Sequence, residues 1–347
     1  VAGLRATWDS RRAEIISKRD ATLVERYGSV DQGRRRASDK SVATRIALYG
    51  TAFGPVTPNS YGKTENDVAQ FFTDRGFAME RQVVLPGERK SLDIVVPAAK
   101  LAVEYCGLYW HTEESPTPRP AGYHLNKHDA AIRAGLRLVT VFEDEWLDHR
   151  HAVEGVLEAA LGVYAIKTAA RKCRLVAETD PRAVDAFLDA EHLQGSPRRA
   201  VAAWSLFLGE DRVACMTLAP HHRTGTDLVL DRFCVKRGVR IVGGARRLFA
   251  ALCNEARRRG ATRVLSWSDR RWFGGGVYRA LGFVEDGVLP PDYSYVDTRR
   301  PGTRLSKQSQ KKANTGCPAD VTERDWALQH GLARIWDCGK VRWVFAL

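Results

Sequence analysis

Two short apolar stretches each carry a single acid, and that placement limits what the chain can fold into more than any other feature. Asp93 lies inside Leu92-Asp-Ile-Val-Val96, and Glu104 lies near the end of Leu101-Ala-Val-Glu-Tyr105. Both stretches read as strands, because β-branched and aliphatic residues dominate them. A hairpin sets the two acids on adjacent strands, able to converge. A buried carboxylate without a partner is costly, so both positions call for an explanation. With Glu65 on a preceding helix, they form a hard-oxygen site suited to Mg²⁺ or Mn²⁺, with Asp93 and Glu104 as the metal ligands. A metal so held activates water and stabilises a phosphate under attack. The alternative account is that neighbouring Arg or backbone groups satisfy both acids.

Around these strands the pattern is compact α/β. Residues 63–75 read as a helix with Val68, Phe71 and Phe72 on one face, ended by Gly76. Strands follow at 78–85, 92–96 and 101–105, then a helix at 123–134 and a buried strand at 138–142. A second α/β segment places strands at 200–208, 212–218, 227–235 and 263–268, with a helix at 245–259. Apolar strands at 333–337 and 341–345 end the tail. The chain divides into a basic helical arm (1–59), a first α/β domain (60–165), a second (174–297) and a basic segment with terminal strands (298–347). The arm holds a repeat: Lys18 to Gly28 recurs as Lys40 to Gly50, with five of eleven positions shared at an offset of 22. Each copy reads as a short helix capped by Gly28 or Gly50.

The 347 residues carry a net charge of +13, and a chain this basic favours a polyanionic partner. Twelve Lys or Arg stand against two acids from Arg232 to Arg271, and six against none from Arg299 to Lys312. Candidate contacts to double-stranded DNA are Arg34, Arg35 and Arg36 between the repeats, Arg270, Arg271 and Trp272, and Lys307, Lys311 and Lys312. A solvated basic surface is the plain alternative. No apolar run is long enough for a membrane-spanning helix, and the first residues lack a signal-peptide core. Seven cysteines without a C-x-x-C pair argue against a disulfide framework or a zinc ribbon. These features lead to the expectation of an intracellular setting.

The order helix-Glu, strand-Asp, strand-Glu resembles the PD-(D/E)XK nucleases. Members place Lys two residues after the strand Glu, but Cys106 stands there. The segment Cys106-Gly-Leu-Tyr-Trp-His111 is similar to one in very-short-patch repair endonucleases, where an aromatic pair leads into a catalytic His. The phage homing endonucleases of the EDxHD group are similar too, and short modular repeats like those of the arm accompany many homing nucleases. The resemblance covers 62–162 and includes Phe142-Glu-Asp-Glu-Trp146. It implies a mixed sheet flanked by helices, with Glu65 as the helix acid, Asp93 as metal ligand and His111 as catalytic group. The repair enzymes have a His where Cys106 stands and no acid at Glu104, which places this chain nearer the homing group. His124 and Lys127 share a helix face at a spacing of three, and Lys127 is a candidate replacement for the strand lysine. Tyr109 and Trp110 suit base stacking, with one of them expected in the core.

Arg240-Ile-Val-Gly-Gly-Ala245 before a helix resembles the pyrophosphate loop of GCN5-related N-acetyltransferases. Backbone N–H groups at a helix start give such a loop its anion affinity. Val277-Tyr-Arg-Ala-Leu-Gly-Phe283 is similar to that family's late Tyr and Gly-Phe motif. If acetyl-CoA binds, Arg240, Gly243 and Ala245 hold it. The stretch 266–272 is basic and aromatic, so a transferase fold reused for DNA binding is the expectation.

The fold class expected is thus α/β multidomain. The expected function is a site-specific, Mg²⁺-dependent DNA endonuclease of the phage homing type, acting inside a bacterial host. Its catalytic set is Glu65, Asp93, Glu104, His111 and Lys127. Alternatives are a mismatch- or modification-dependent nickase, an N-acetyltransferase with an inert nuclease-like domain, and a non-catalytic DNA-binding protein.

Overall fold

The computed structural model describes residues 17, 18, 20–30, 32, 62–299 and 301–347. Two compact units are present, Val1–Asn66 and Asp67–Leu347. In the first, residues 20–27 are helical. Gly28 follows at φ +80° and donates its N–H to Val24 O at 2.8 Å, as a helix-ending glycine does. Gly50, and Arg34 to Arg36, lie outside the described residues.

Helix α1 (Lys63–Asp74) buries Val68, Ala69, Phe71 and Phe72. Strands β1 (Glu80–Val84), β2 (Ser91–Val96) and β3 (Leu101–Cys106) then run antiparallel. Helix α2 (Tyr123–Arg133) carries the chain over to β4 (Arg137–Phe142), which pairs parallel with β3. A parallel neighbour requires such a crossover. Helices α3 (Glu143–Asp148) and α4 (Arg150–Leu161), unmarked in the sequence reading, follow. On one face of this four-stranded sheet, Phe71 and Phe72 pack with Val103, Val141, Trp146 and Leu157. On the other, Ala130 and Ala131 of α2 pack with Val95, Ala102 and Leu138.

After β5 (Ile166–Ala169), the second sheet begins at β6 (Arg174–Ala177), and Asp180 caps α5 (Pro181–Glu191). Strands β7 (Ala202–Leu208), β8 (Asp211–Pro220) and β9 (Asp227–Val235) form an antiparallel run, and β10 (Val239–Val242) pairs with β5. Helix α6 (Gly244–Arg258) leads to β11 (Arg263–Asp269), followed by α7 (Gly276–Leu281) and β12 (Val284–Leu289). Next come β13 (Tyr293–Asp297), β14 (Arg304–Ser306), α8 (Lys312–Thr315), α9 (Glu323–Gln329) and β15 (Leu332–Trp336). The last strand, β16 (Lys340–Ala346), inserts between β11 and β12. The sheet order is β12-β16-β11-β9-β8-β7-β6. The second α/β segment, read from sequence as 174–297, therefore needs the chain's final strand to complete its sheet. β9 and β11 pair in parallel only from Asp227 to Val229.

The segment between β12 and β16 folds as a small sheet of β14-β13-β15. Its Val296 and Ile335 share a core with Cys106, Leu108 and Phe142 of the first sheet.

Candidate active site

The β2–β3 ladder pairs Ile94 with Val103 and Val95 with Ala102, so the next register step sets Asp93 opposite Glu104. Facing residues of an antiparallel pair project to one side of the sheet. That side is the one α2 covers, since Val95 and Ala102 pack on Ala130 and Ala131. Asp93 Oδ2 accepts the Tyr105 N–H at 2.8 Å, and its Oδ1 accepts the Gln82 amide at 3.2 Å. Glu104 is 2% exposed. Its Oε1 accepts from Lys127 Nζ of α2, while its Oε2 has no hydrogen-bond partner. Burial alone would lower the Lys127 ammonium, but Glu104 and then Asp93 hold it above the ordinary lysine range. Lys127 of α2 thus meets Glu104 of β3 directly.

Cations border this cluster. Lys90 Nζ and the Arg119 guanidinium lie 3.8 and 4.4 Å from the Tyr123 ring centre. Burial, then Arg119 and Lys127, push the Lys90 ammonium down. A cleft of about 340 Å³ between the β1–β2 turn and α2 is lined by Arg89, Lys90, Asn126 and Lys127 among others. Lys90 and Arg119 sit in loops without periodicity, so nothing in the sequence singled them out.

His111 stacks on His124, with ring centres 5.2 Å apart and planes 19° from parallel. Burial pushes His111 down to about 3, with Arg119 and Lys127 adding to it. Burial also holds His124 well below its ordinary range. Both imidazoles are neutral at pH 7. Cys106 is fully buried, and burial with Glu104 and Asp93 raises its thiol. The loop bearing His111 is pinned from both ends. Leu108 N–H donates to Glu143 Oε2 at 2.9 Å, Thr112 bridges to Ile335, and Glu113 pairs with Arg334 at 2.7 Å.

Of the residues expected at the site, Asp93, Glu104, Lys127 and His111 come together. Glu65 stands half-buried in the first turn of α1 and belongs to the unit Val1–Asn66. The expected core position among the loop aromatics is taken by Leu108 instead, leaving Tyr109 half-buried and Trp110 58% exposed. The expectation for 266–272 changes more. Arg271 is 7% exposed and ion-paired with Glu145 and Asp269, and Trp272 is 3% exposed in the core of the first sheet. Arg270 pairs with Asp129 at 2.5 Å. These residues form the seam between the two sheets, and burial removes Arg271 and Trp272 from any DNA-facing surface. Lys307 pairs with Asp292 at 2.8 Å, Lys312 Nζ donates to Ala319 O at 2.8 Å, and Lys311 is exposed.

The second sheet has a site of another kind. Gly243, at φ +79°, turns the chain into the first turn of α6, whose leading N–H groups have no acceptor within the helix. Arg240 lies exposed beside it. Where β9 and β11 part, Ser266 Oγ donates to Leu230 O at 2.8 Å and meets Tyr278 OH at 2.9 Å.

No protein-family model matches this chain, and no curated protein matches it. Solved structures do. A Bacillus subtilis acetyltransferase in complex with CoA is 13% identical over 51% of this chain and 99% of its own, at a TM-score of 0.32. A GNAT family acetyltransferase from Elizabethkingia anophelis with acetyl-CoA bound is 11% identical over 51% and 99%, at 0.31. The ribosomal-protein-S18-alanine N-acetyltransferase from Escherichia coli is 12% identical over 50% and 93%, at 0.29. Each of these likenesses spans about half of this chain. No helix among the described residues is long and apolar enough to cross a membrane.

Proposed function

We propose that the first sheet is a divalent-metal-dependent phosphodiesterase that cuts duplex DNA. One observation carries this: Asp93 and Glu104 face each other across β2 and β3, with Lys127 delivered onto Glu104 from α2. Asp93 and Glu104 would hold Mg²⁺ or Mn²⁺, as hard oxygen donors do, and the partnerless Glu104 Oε2 fits that role. Such an ion, when bound, supplies Lewis-acid stabilisation and a more acidic water. Lys127 stays charged and offers its ammonium to a phosphate oxygen, while Lys90 and Arg119 draw the backbone toward the cleft. Neither His111, near 3, nor Lys127, raised, has the near-neutral pKa of an efficient general base, so Lys127 acts by position and charge and His111 takes no proton.

The net charge of +13 supports DNA as the substrate. The finer reading, a site-specific homing enzyme, draws on the basic repeats of the N-terminal arm, which suit extended backbone contacts. Cleavage of plain, mismatched and modified duplexes separates it from a repair nickase. The primary test is Asp93→Ala on a supercoiled plasmid with Mg²⁺. Nicking is expected to fall by about 10²- to 10³-fold, with retention of the protein by DNA intact. Wild-type cutting by the variant would end the proposal.

A second reading is favoured by the Gly243 turn at α6 and by the Tyr278 hydroxyl at the parting of β9 and β11. It is acyl transfer from acetyl-CoA, with Arg240, Gly243 and Ala245 at the pyrophosphate. An acetyl-CoA titration by calorimetry tests it, and absence of binding at millimolar cofactor would exclude it.

A further inference from the structure

Three side chains beside the carboxylates are left over by the proposed chemistry. Cys106 ends β3, His111 sits in the pinned loop, and His124 lies in the first turn of α2. They come from three separate elements, yet one ligand atom from each lies within 4.8 Å of the others. Cys106 Sγ is 3.8 Å from His124 Nδ1. Cys106 is 0% and His124 1% exposed. His111 Nδ1 and His124 Nε2 are buried without a hydrogen-bond partner. A buried polar atom left unsatisfied costs roughly 1–3 kcal/mol, so two adjacent imidazoles in that state are an unusual price for packing alone. Neutral imidazole nitrogens are ready ligands.

We propose that Cys106, His111 and His124 form a binding site for a thiophilic divalent ion, zinc above all. One thiolate and two imidazole nitrogens select zinc over magnesium, whereas Asp93 and Glu104 offer the opposite preference. The two sites are therefore chemically distinct although they share strand β3. Zinc bonds of about 2.0–2.3 Å hold ligand atoms about 3.5 Å apart, so binding calls for a small inward rotation of these side chains. The Cys106 proton leaves to solvent as the thiolate–metal bond forms. Asp93 and Glu104 act electrostatically on the Cys106 thiol, and Arg119 and Lys127 on the His111 ring, so charges of both signs neighbour the three ligands. The ion ties β3, the His111 loop and α2 together, and so fixes the face that carries Glu104 and Lys127. The inference does not depend on the nuclease reading, because the three ligands are independent of Asp93.

The test uses the untagged full chain and Co²⁺ as a spectroscopic stand-in, with bound zinc counted by elemental analysis after gel filtration. One ion per chain is expected, with a thiolate-to-cobalt charge-transfer band. Cys106→Ser should abolish that band, and His124→Gln should weaken zinc binding at least tenfold. Asp93→Ala should bind zinc as the wild type does, which keeps this result separate from any loss of cutting. Because Cys106 and His124 are deeply buried, His111→Gln is the third variant, with circular dichroism to confirm folding. No band in the wild type, or a band that persists in folded Cys106→Ser or in His111→Gln with unchanged zinc affinity, overturns the proposal.

Discussion

The two sheets treat buried polar groups in opposite ways. In the seven-stranded sheet, Asp227 is 2% exposed, but Arg263 grips both of its oxygens and Thr224 donates to one. Ser266 is bonded to Leu230 O and Tyr278, and Ser268 accepts from Trp343 Nε1 at 2.9 Å. Ser205 is the exception in its strands. The four-stranded sheet gathers Glu104, Lys127, His111, His124 and Cys106 on one side and leaves Glu104 Oε2, His111 Nδ1 and His124 Nε2 without partners. A stable core avoids such a cluster, because each unsatisfied group keeps its desolvation cost. Local unfavourable polarity on an otherwise well-packed sheet marks where a ligand completes the structure.

The contrast breaks most readily at Lys127. Lys127→Met leaves Glu104 buried without its cation, and urea unfolding should show a loss of about 3–5 kcal/mol. Adding Glu104→Gln should recover most of that loss, since the stranded charge is gone. A cost below about 1 kcal/mol for the single variant would show that water already reaches Glu104.

The acid limb of stability sharpens the comparison next. Unfolded histidines titrate near 6.5, whereas burial holds His111 at about 3 and His124 well below its ordinary range. In that window the unfolded chain binds more protons. Stability is therefore fully present above the unfolded value and falls as the pH drops toward the folded one. His192, at the end of α5, is also pushed down to about 3, by burial and Arg232. Burial also lowers His128 of α2, on the first sheet, and His221, which follows β8 of the second. His111→Gln should flatten the fall in thermal midpoint between neutral pH and pH 4, and an unchanged slope would refute the buried, neutral imidazole.

The smallest effect is expected where bonding is complete. Tyr278→Phe removes the hydroxyl shared with Ser266 and should cost about 1 kcal/mol, measured by the same unfolding experiment. A loss as large as that of Lys127→Met would erase the distinction between the sheets.

Much of this organisation was legible in the chain. Strand β9 was read at its observed bounds, and α1, α2, β2, β3, β4 and α6 to within two residues, because apolar periodicity and glycine caps report local structure directly. The strands of Asp93 and Glu104 were legible because an acid stands out in an aliphatic run. Lys127 was a candidate through its helical spacing from His124. Helices α3 and α4 escaped, and in α3 Asp144 and Glu145 are buried against Arg304 and Arg271, partners far along the chain. The stretch 266–272 misled for the mirror reason. Arginine and tryptophan look the same in sequence whether they face DNA or fill a seam, and only partners far along the chain decide.

The sequence by itself determined the local elements, the two acids that no apolar strand carries without cause, and the strong positive charge. Tertiary structure alone decided which charges meet. It brought Lys127 onto Glu104, removed Arg271 and Trp272 from the surface, placed the last strand inside the second sheet, and joined Cys106 with His111 and His124. The reason is physical: periodicity and capping act over a few residues, whereas ion pairing and burial depend on groups brought together by folding, whatever their separation in the chain.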